Sequence, residues 1–92
     1  MKQETKCLHS GYVPKNGEPR QMPIYQSTTF KYDSSDAMGR LFDLEDSGYF
    51  YTRLQNPSND MTAAKIADLE GGVAAMLTSS GQAANFFALF NK

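Results

Sequence analysis

Tyr49-Phe50-Tyr51-Thr52-Arg53-Leu54-Gln55-Asn56-Pro57-Ser58 opens a stretch that continues through Gly71-Gly72 to Ser79-Ser80-Gly81-Gln82-Ala83-Ala84. Within it, Asn56-Pro57 marks a helix entry, because asparagine caps orphan amides and proline suits the first helical position. From Ser58 to Glu70, the residues Ala63, Ile66, Ala67 and Leu69 share one broad arc, with Lys65 and Asp68 opposite. Gly71-Gly72 terminates that helix. Val73 to Leu77 is short and fully apolar and reads as a buried strand. Ser80-Gly81-Gln82 turns from it into a second helix, on which Ala83, Phe86, Phe87 and Phe90 recur at helical spacing. Helix, strand and helix in that order are the opening of an α/β sheet.

Two features of the stretch suit a phosphate. The first amides of a helix lack intrahelical partners, and the helix dipole adds partial positive charge there, so a dianion fits the turn at Gly81 and Gln82. Glycine has no Cβ to hold a phosphate off the main chain. The second feature is Tyr51-Thr52-Arg53, where a guanidinium grips two phosphate oxygens and, if the segment is extended, a phenol two residues away donates a third bond. A whole helix separates the two features, so they meet only through tertiary or quaternary structure. Taken alone, each has an ordinary meaning: a tight strand-to-helix connection, and a solvated strand residue.

Outward from this stretch, residues 1–48 show little periodicity. Pro14, Asn16-Gly17 and Pro19 mark turns, and Ile24 to Tyr32 is an extended run. Asp33-Ser34-Ser35-Asp36 reads as a helix start, with a short helix over Ala37 to Leu44 closed near Gly48. Met22, Ile24, Tyr25, Phe30, Leu41, Phe42 and Leu44 are too apolar for a solvated tail, which points to an arm laid over another subunit.

The chain has 92 residues, 40% of them hydrophobic, and a net charge of −1, so neither nucleic acid nor an anionic membrane is implied. A single cysteine, Cys7, excludes an internal disulfide and fits a reducing cytoplasm. The polar start carries no signal peptide, and no run approaches the roughly 20 apolar residues of a membrane span. His9 and Cys7 read as surface residues, Lys65 and Lys92 as solvated charges, and Asp36, Asp43, Glu45 and Asp46 as a solvent-facing acidic stretch. No metal-ligand spacing occurs. After the last helix too few strands remain to complete a sheet, so Phe86, Phe87, Leu89 and Phe90 have little to pack against.

Tyr51-Thr52-Arg53-Leu54-Gln55-Asn56-Pro57-Ser58, Ala67-Asp68-Leu69-Glu70-Gly71-Gly72 and Ser80-Gly81-Gln82-Ala83-Ala84 resemble the Cys/Met-metabolism family of pyridoxal-phosphate enzymes. Pro23 to Phe30 is similar to that family's N-terminal arm, and His9-Ser10-Gly11-Tyr12 to its opening. Within the family, Ser80-Gly81-Gln82 (lyases and cystathionine synthases more often show Ser-Gly-Met) and Leu41-Phe42-x-Leu44 look most like O-acetylhomoserine sulfhydrylases. Met61-Thr62 departs from the family's usual Leu-Glu.

The resemblance implies an α/β protein: an N-terminal extended arm over 1–57, reaching a neighbouring subunit. After it come the first helix, strand and helix (58–92) of a type I, aspartate-aminotransferase-like large domain, incomplete in this chain. It further implies pyridoxal 5′-phosphate as cofactor, a cytoplasmic homo-oligomer built as a dimer of dimers, and a small-molecule substrate. The parent reaction would replace acetate on O-acetylhomoserine by sulfide or a thiol. Alternatives are a γ-lyase or cystathionine-synthase parent, or an inert interaction module. The cofactor-binding lysine, the ring-stacking aromatic and the ring-nitrogen aspartate of the family fall beyond Lys92. What carries over is the phosphate grip: Gly81 and Gln82 amides in one subunit, Tyr51 and Arg53 lent by its neighbour.

Overall fold

The computed structural model describes residues 1–91, and the reading of Lys92 as a solvated charge lies outside them. Four helices occur in order: α1 Gln3–His9, α2 Ser35–Phe42, α3 Pro57–Glu70 and α4 Gly81–Phe90. They are distributed over two units, a central one from Pro14 to Met61 and a terminal one combining Met1–Val13 with the chain from Thr62 on. Among the described residues the only β-pairing is an isolated antiparallel bridge between Thr29 and Tyr51.

In the central unit, the expected turn at Asn16-Gly17 is present: Gly17 has φ +85°, and the Glu18 amide donates to the Lys15 carbonyl at 3.0 Å. Helix α2 begins where the serines and aspartates placed it, with Ser34 Oγ accepting from the Ala37 amide at 3.1 Å. It does not close near Gly48. The Glu45 amide donates to Arg40 at 2.8 Å and the Leu44 amide to Leu41 at 3.1 Å, a Schellman pattern with Leu44 at φ 64° in the position that glycine prefers. A left-handed non-glycine residue costs about 1–2 kcal/mol. Leu44 is exposed and loses no packing on truncation. Leu44→Gly is therefore expected to slow exchange of the Glu45 amide about fivefold, read by hydrogen–deuterium exchange, equivalent to about 1 kcal/mol.

Gly48 has a different task. A Cβ there would stand 2.6 Å from the Tyr32 hydroxyl and 3.0 Å from Leu41 Cδ2, so the missing side chain makes room for both. The Tyr32 hydroxyl donates to the Tyr49 carbonyl at 2.6 Å. Leu41 is buried at 4% exposure, the anchor of α2.

In the terminal unit, α3 ends as Gly71-Gly72 requires. Gly71 adopts φ +70°, its amide donates to Asp68 at 3.3 Å, and the Gly72 amide reaches Ala67 at 2.8 Å. The Leu69 carbonyl, and a second time that of Asp68, accept from α1, an element that the polar, aperiodic sequence Gln3 to His9 did not announce. Gln3 Nε2 donates to the Leu69 carbonyl at 3.3 Å and Lys6 Nζ to that of Asp68 at 3.2 Å. A cation at a helix C-terminus also complements the dipole. Lys65, read as solvated, instead donates to the Cys7 carbonyl at 2.9 Å. His9 and Cys7 are exposed.

Asp68 is the hub of this clasp. The Ser10 hydroxyl donates to its carboxylate, and Lys6 Nζ lies 3.4 Å from it. The Ser10 bond holds the Asp68 carboxyl below the usual carboxylate range, and Lys6 adds to this against an opposing desolvation. A depressed folded pKa contributes stability that is present above the unfolded value and is lost as pH falls through the folded one. Acid is thus expected to release α1 from α3 below the ordinary carboxylate range, seen as loss of protection at the Ser10 amide. Asp68→Asn is expected to remove that pH dependence.

Val73 to Leu77 does not form the expected buried strand. It is irregular, with Val73 fully exposed and Met76 and Leu77 also open to solvent. A strand needs a neighbour to take its amides and carbonyls, and none of the described residues supplies one. The arc on α3 is partly covered: Ala67 is buried, Ala63 and Leu69 are half-buried and Ile66 is exposed. Leu41 and Ala67 are the only buried hydrophobic residues among those described.

Candidate functional site

Tyr51 and Arg53, expected to form one half of the grip, lie in the central unit. Thr29 pairs with Tyr51, and the amide of Thr52 donates to the Thr28 carbonyl at 2.8 Å while that of Phe30 donates to Phe50 at 3.3 Å. The chain then turns: the amides of Leu54 and Gln55 both donate to the Tyr51 carbonyl, at 3.0 and 3.1 Å. The turn brings the Arg53 guanidinium over the Tyr51 ring, 5.2 Å from its centroid. A cation over an aromatic face is attracted by the ring quadrupole, so the phenol and guanidinium stay together. Arg53 is exposed and forms no ion pair with the described residues. The other two arginine or lysine side chains near carboxylates in this unit, Arg40 and Lys31, pair with Asp46 and Asp33. Arg53 is thus a cation available to an outside anion.

Asn56 closes the turn. It is the most buried residue described, at 2% exposure. Its Oδ1 accepts from the Ser58 amide at 2.8 Å, capping α3, and its Nδ2 donates to the Tyr25 carbonyl and to Thr52 Oγ1. The expected cap is therefore present, but its second role was not visible in sequence, because Tyr25 lies 31 positions away. Nearby, the Tyr49 hydroxyl donates to Asp60 at 2.9 Å. Burial first, and then Asp60, push the Tyr49 phenol above its ordinary value.

Gly81 and Gln82, expected to form the other half, lie in the terminal unit. Ser80 Oγ accepts from the Ala83 amide at 3.1 Å, and the Ser80 carbonyl accepts from Ala84 at 3.1 Å. That leaves the amides of Gly81 and Gln82, the two expected to hold a phosphate, with no partner among the described residues, and both residues are exposed. A Cβ built on Gly81 meets nothing within 4 Å, and its φ is not positive. Neither packing nor backbone strain within the chain therefore demands glycine here. Open space above two unpaired amides at a helix N-terminus fits an anion such as the phosphate of pyridoxal phosphate. Tyr51 and Arg53 come together in one unit, Gly81 and Gln82 in the other.

The aromatic stripe on α4 is not in a core. Phe86 and Phe90 stack at 5.0 Å between centroids, yet Phe86, Phe87, Leu89 and Phe90 are exposed. Beside them the segment Met76–Ser79 and α4 enclose an open groove of about 630 Å³, lined by Leu77, Ala84 and Phe87 among others. No helix is long and apolar enough to cross a membrane among the described residues.

Comparison with known proteins sets these features in a family. Over 92 aligned positions the chain is 45% identical to an O-acetyl-L-homoserine sulfhydrylase from Leptospira meyeri, covering 99% of this chain and 21% of that protein. An L-methionine gamma-lyase from Fusobacterium nucleatum subsp. polymorphum is 48% identical over 80 residues, or 87% of this chain and 20% of the relative. A crystal structure described as an O-acetylhomoserine (thiol)-lyase from Campylobacter jejuni superposes with a TM-score of 0.88 at 35% identity, over 99% of this chain and 22% of that one. That structure holds N′-pyridoxyl-lysine-5′-monophosphate at its position 205. The chain spans about a fifth of the length of these relatives. The model of the Cys/Met metabolism PLP-dependent enzymes matches residues 4–92, and the chain belongs to that family.

Proposed function

We propose that this chain is the cofactor-phosphate-gripping segment of a pyridoxal-phosphate enzyme that replaces the acetate of O-acetylhomoserine by sulfide or a thiol, giving homocysteine or methionine. The carrying observation is the pair of unpartnered Gly81 and Gln82 amides, left open by the Ser80 cap, in a chain 45% identical to an O-acetyl-L-homoserine sulfhydrylase. These amides hold the phosphate through main-chain hydrogen bonds and the dipole of α4. Tyr51 and Arg53 close on it from the neighbouring copy, the guanidinium taking two oxygens and the phenol one. The cofactor, once bound, supplies the electron sink for the elimination of acetate. Residues 1–57 form the arm that delivers Arg53, and 58–92 begin the large domain of the type I fold. Each site needs two copies, so the working protein is at least a dimer, and the family resemblance extends this to a cytoplasmic dimer of dimers. Support for the arm comes from Ile24, Tyr25, Phe42 and Leu44, apolar side chains left exposed within the chain.

The lysine that holds the cofactor lies outside these 92 residues, so the chain alone is expected to retain no pyridoxal phosphate after dialysis. A chimaera in which this chain replaces the matching fifth of the Leptospira meyeri relative is expected to retain one cofactor per subunit and to form homocysteine from O-acetylhomoserine and sulfide. A folded chimaera without cofactor would overturn the proposal. A second reading, a γ-lyase parent, is favoured by the 48% identity to the Fusobacterium lyase. The same segment carried on that lyase separates the two: the body on which it sustains the higher turnover is its own kind.

A further inference from the structure

We propose that Asn56 is a positioning residue for the anion grip, holding Tyr51 and Arg53 where a phosphate meets them. The proposal rests on the phosphate-grip reading above and adds to it the device that aims the guanidinium. Among the described residues Arg53 has one partner, the Tyr51 ring, so its direction is not set by bonds of its own. It is set by what pins its flanks. Asn56 is three residues away, 2% exposed and fully bonded: Oδ1 to the Ser58 amide at 2.8 Å, Nδ2 to Tyr25 O at 3.1 Å and to Thr52 Oγ1 at 3.2 Å. Thr52, between the two gripping residues, donates its hydroxyl to the Ser27 carbonyl and its amide to Thr28. Ser58 completes the fastening, accepting from the Tyr25 amide at 2.8 Å and donating to the Pro23 carbonyl at 3.2 Å. One buried carboxamide thus joins three things: the α3 N-terminus, the turn that carries Arg53, and the extended stretch behind it.

A carboxamide can do this and a carboxylate cannot. Oδ1 of either residue accepts from Ser58, so Asn56→Asp keeps the cap of α3, and aspartate caps as well as asparagine. Without an N–H, aspartate places an oxygen against the Tyr25 carbonyl and releases the turn. A residue that only caps the helix would be rescued by aspartate, whereas a positioning residue would not.

The test uses the sulfhydrylase chimaera and titrates the apo form with pyridoxal phosphate and, separately, with pyridoxal, following cofactor absorbance. The ratio of the two affinities reads the phosphate contribution alone. Asn56→Asp is expected to lower that ratio about tenfold, corresponding to one buried donor lost, with the helical circular dichroism unchanged. Thr52→Val, which removes the hydroxyl between Asn56 and Ser27, is expected to lower it in the same direction. Combined with Arg53→Ala, Asn56→Asp is expected to have a smaller effect than alone, because only Tyr51 is left for it to position. A ratio unchanged by both Asn56→Asp and Thr52→Val, while Arg53→Ala still lowers it, would overturn the positioning role and leave the grip standing. No effect of Arg53→Ala itself would overturn the grip instead.

Discussion

Arg53→Ala in the chimaera is expected to weaken pyridoxal phosphate binding about 100-fold while leaving pyridoxal affinity unchanged. A guanidinium on a phosphate makes paired charge-assisted bonds of roughly 1.5–3 kcal/mol each, and about 1.4 kcal/mol is a factor of ten. Arg53→Lys keeps the charge but loses the fork, so about a tenfold loss is expected. A grip shared between copies would have its own signature. Gly81→Val blocks the amide cradle without a clash in the chain, because a Cβ there meets nothing within 4 Å. Mixing Arg53→Ala subunits with Gly81→Val subunits then places a sound cradle opposite a sound arginine in one of the two sites of each mixed dimer. With random pairing, about a quarter of the tight sites should return. A grip confined to one copy would restore none of them, and cofactor titration of the mixture decides.

The second large effect concerns α4. Phe86, Phe87, Leu89 and Phe90 are exposed in a helix whose neighbouring segment, Met76–Ser79, is irregular and open. Covering one large apolar side chain contributes about 1.5–3 kcal/mol, so a face of four is a strong driving force for association. At micromolar concentration the chain is expected to self-associate, measured by size-exclusion chromatography with light scattering. Phe86→Ser together with Phe90→Ser removes the stacked pair and is expected to weaken that association at least 100-fold, from roughly 2 kcal/mol per ring. A monomeric unsubstituted chain would sink this expectation.

Local chemistry was legible where a residue acts on its own neighbours, the left-handed Leu44 that ends α2 excepted. Ser34 and Ser80 cap helices three residues ahead, Asn56-Pro57 opens α3, and Gly71-Gly72 closes it, because each device is completed within about five positions. The same locality made Gly81 and Gln82 readable as open amides, since a helix N-terminus has orphan donors whatever surrounds it. Motif resemblance likewise pointed to the family from the order of its blocks.

What needs a distant partner was not legible. Helix α1 is weakly periodic and uncapped by a side chain, and it is held by Asp68 and Leu69, more than 60 positions away. The end of α2 fell to Leu44 in a strained left-handed turn, while Gly48 was reserved for the approach of Tyr32 and Leu41. The run from Val73 to Leu77 has the apolar composition of a strand, but composition cannot supply the hydrogen-bonding neighbour that makes one. By itself the sequence determined the starts of α2 and α3, the glycine end of α3 and the orphan amides that begin α4. Only tertiary structure decided that Asn56 reaches back to Tyr25 and that Arg53 lies over Tyr51, because those contacts depend on how the chain turns rather than on which residue comes next.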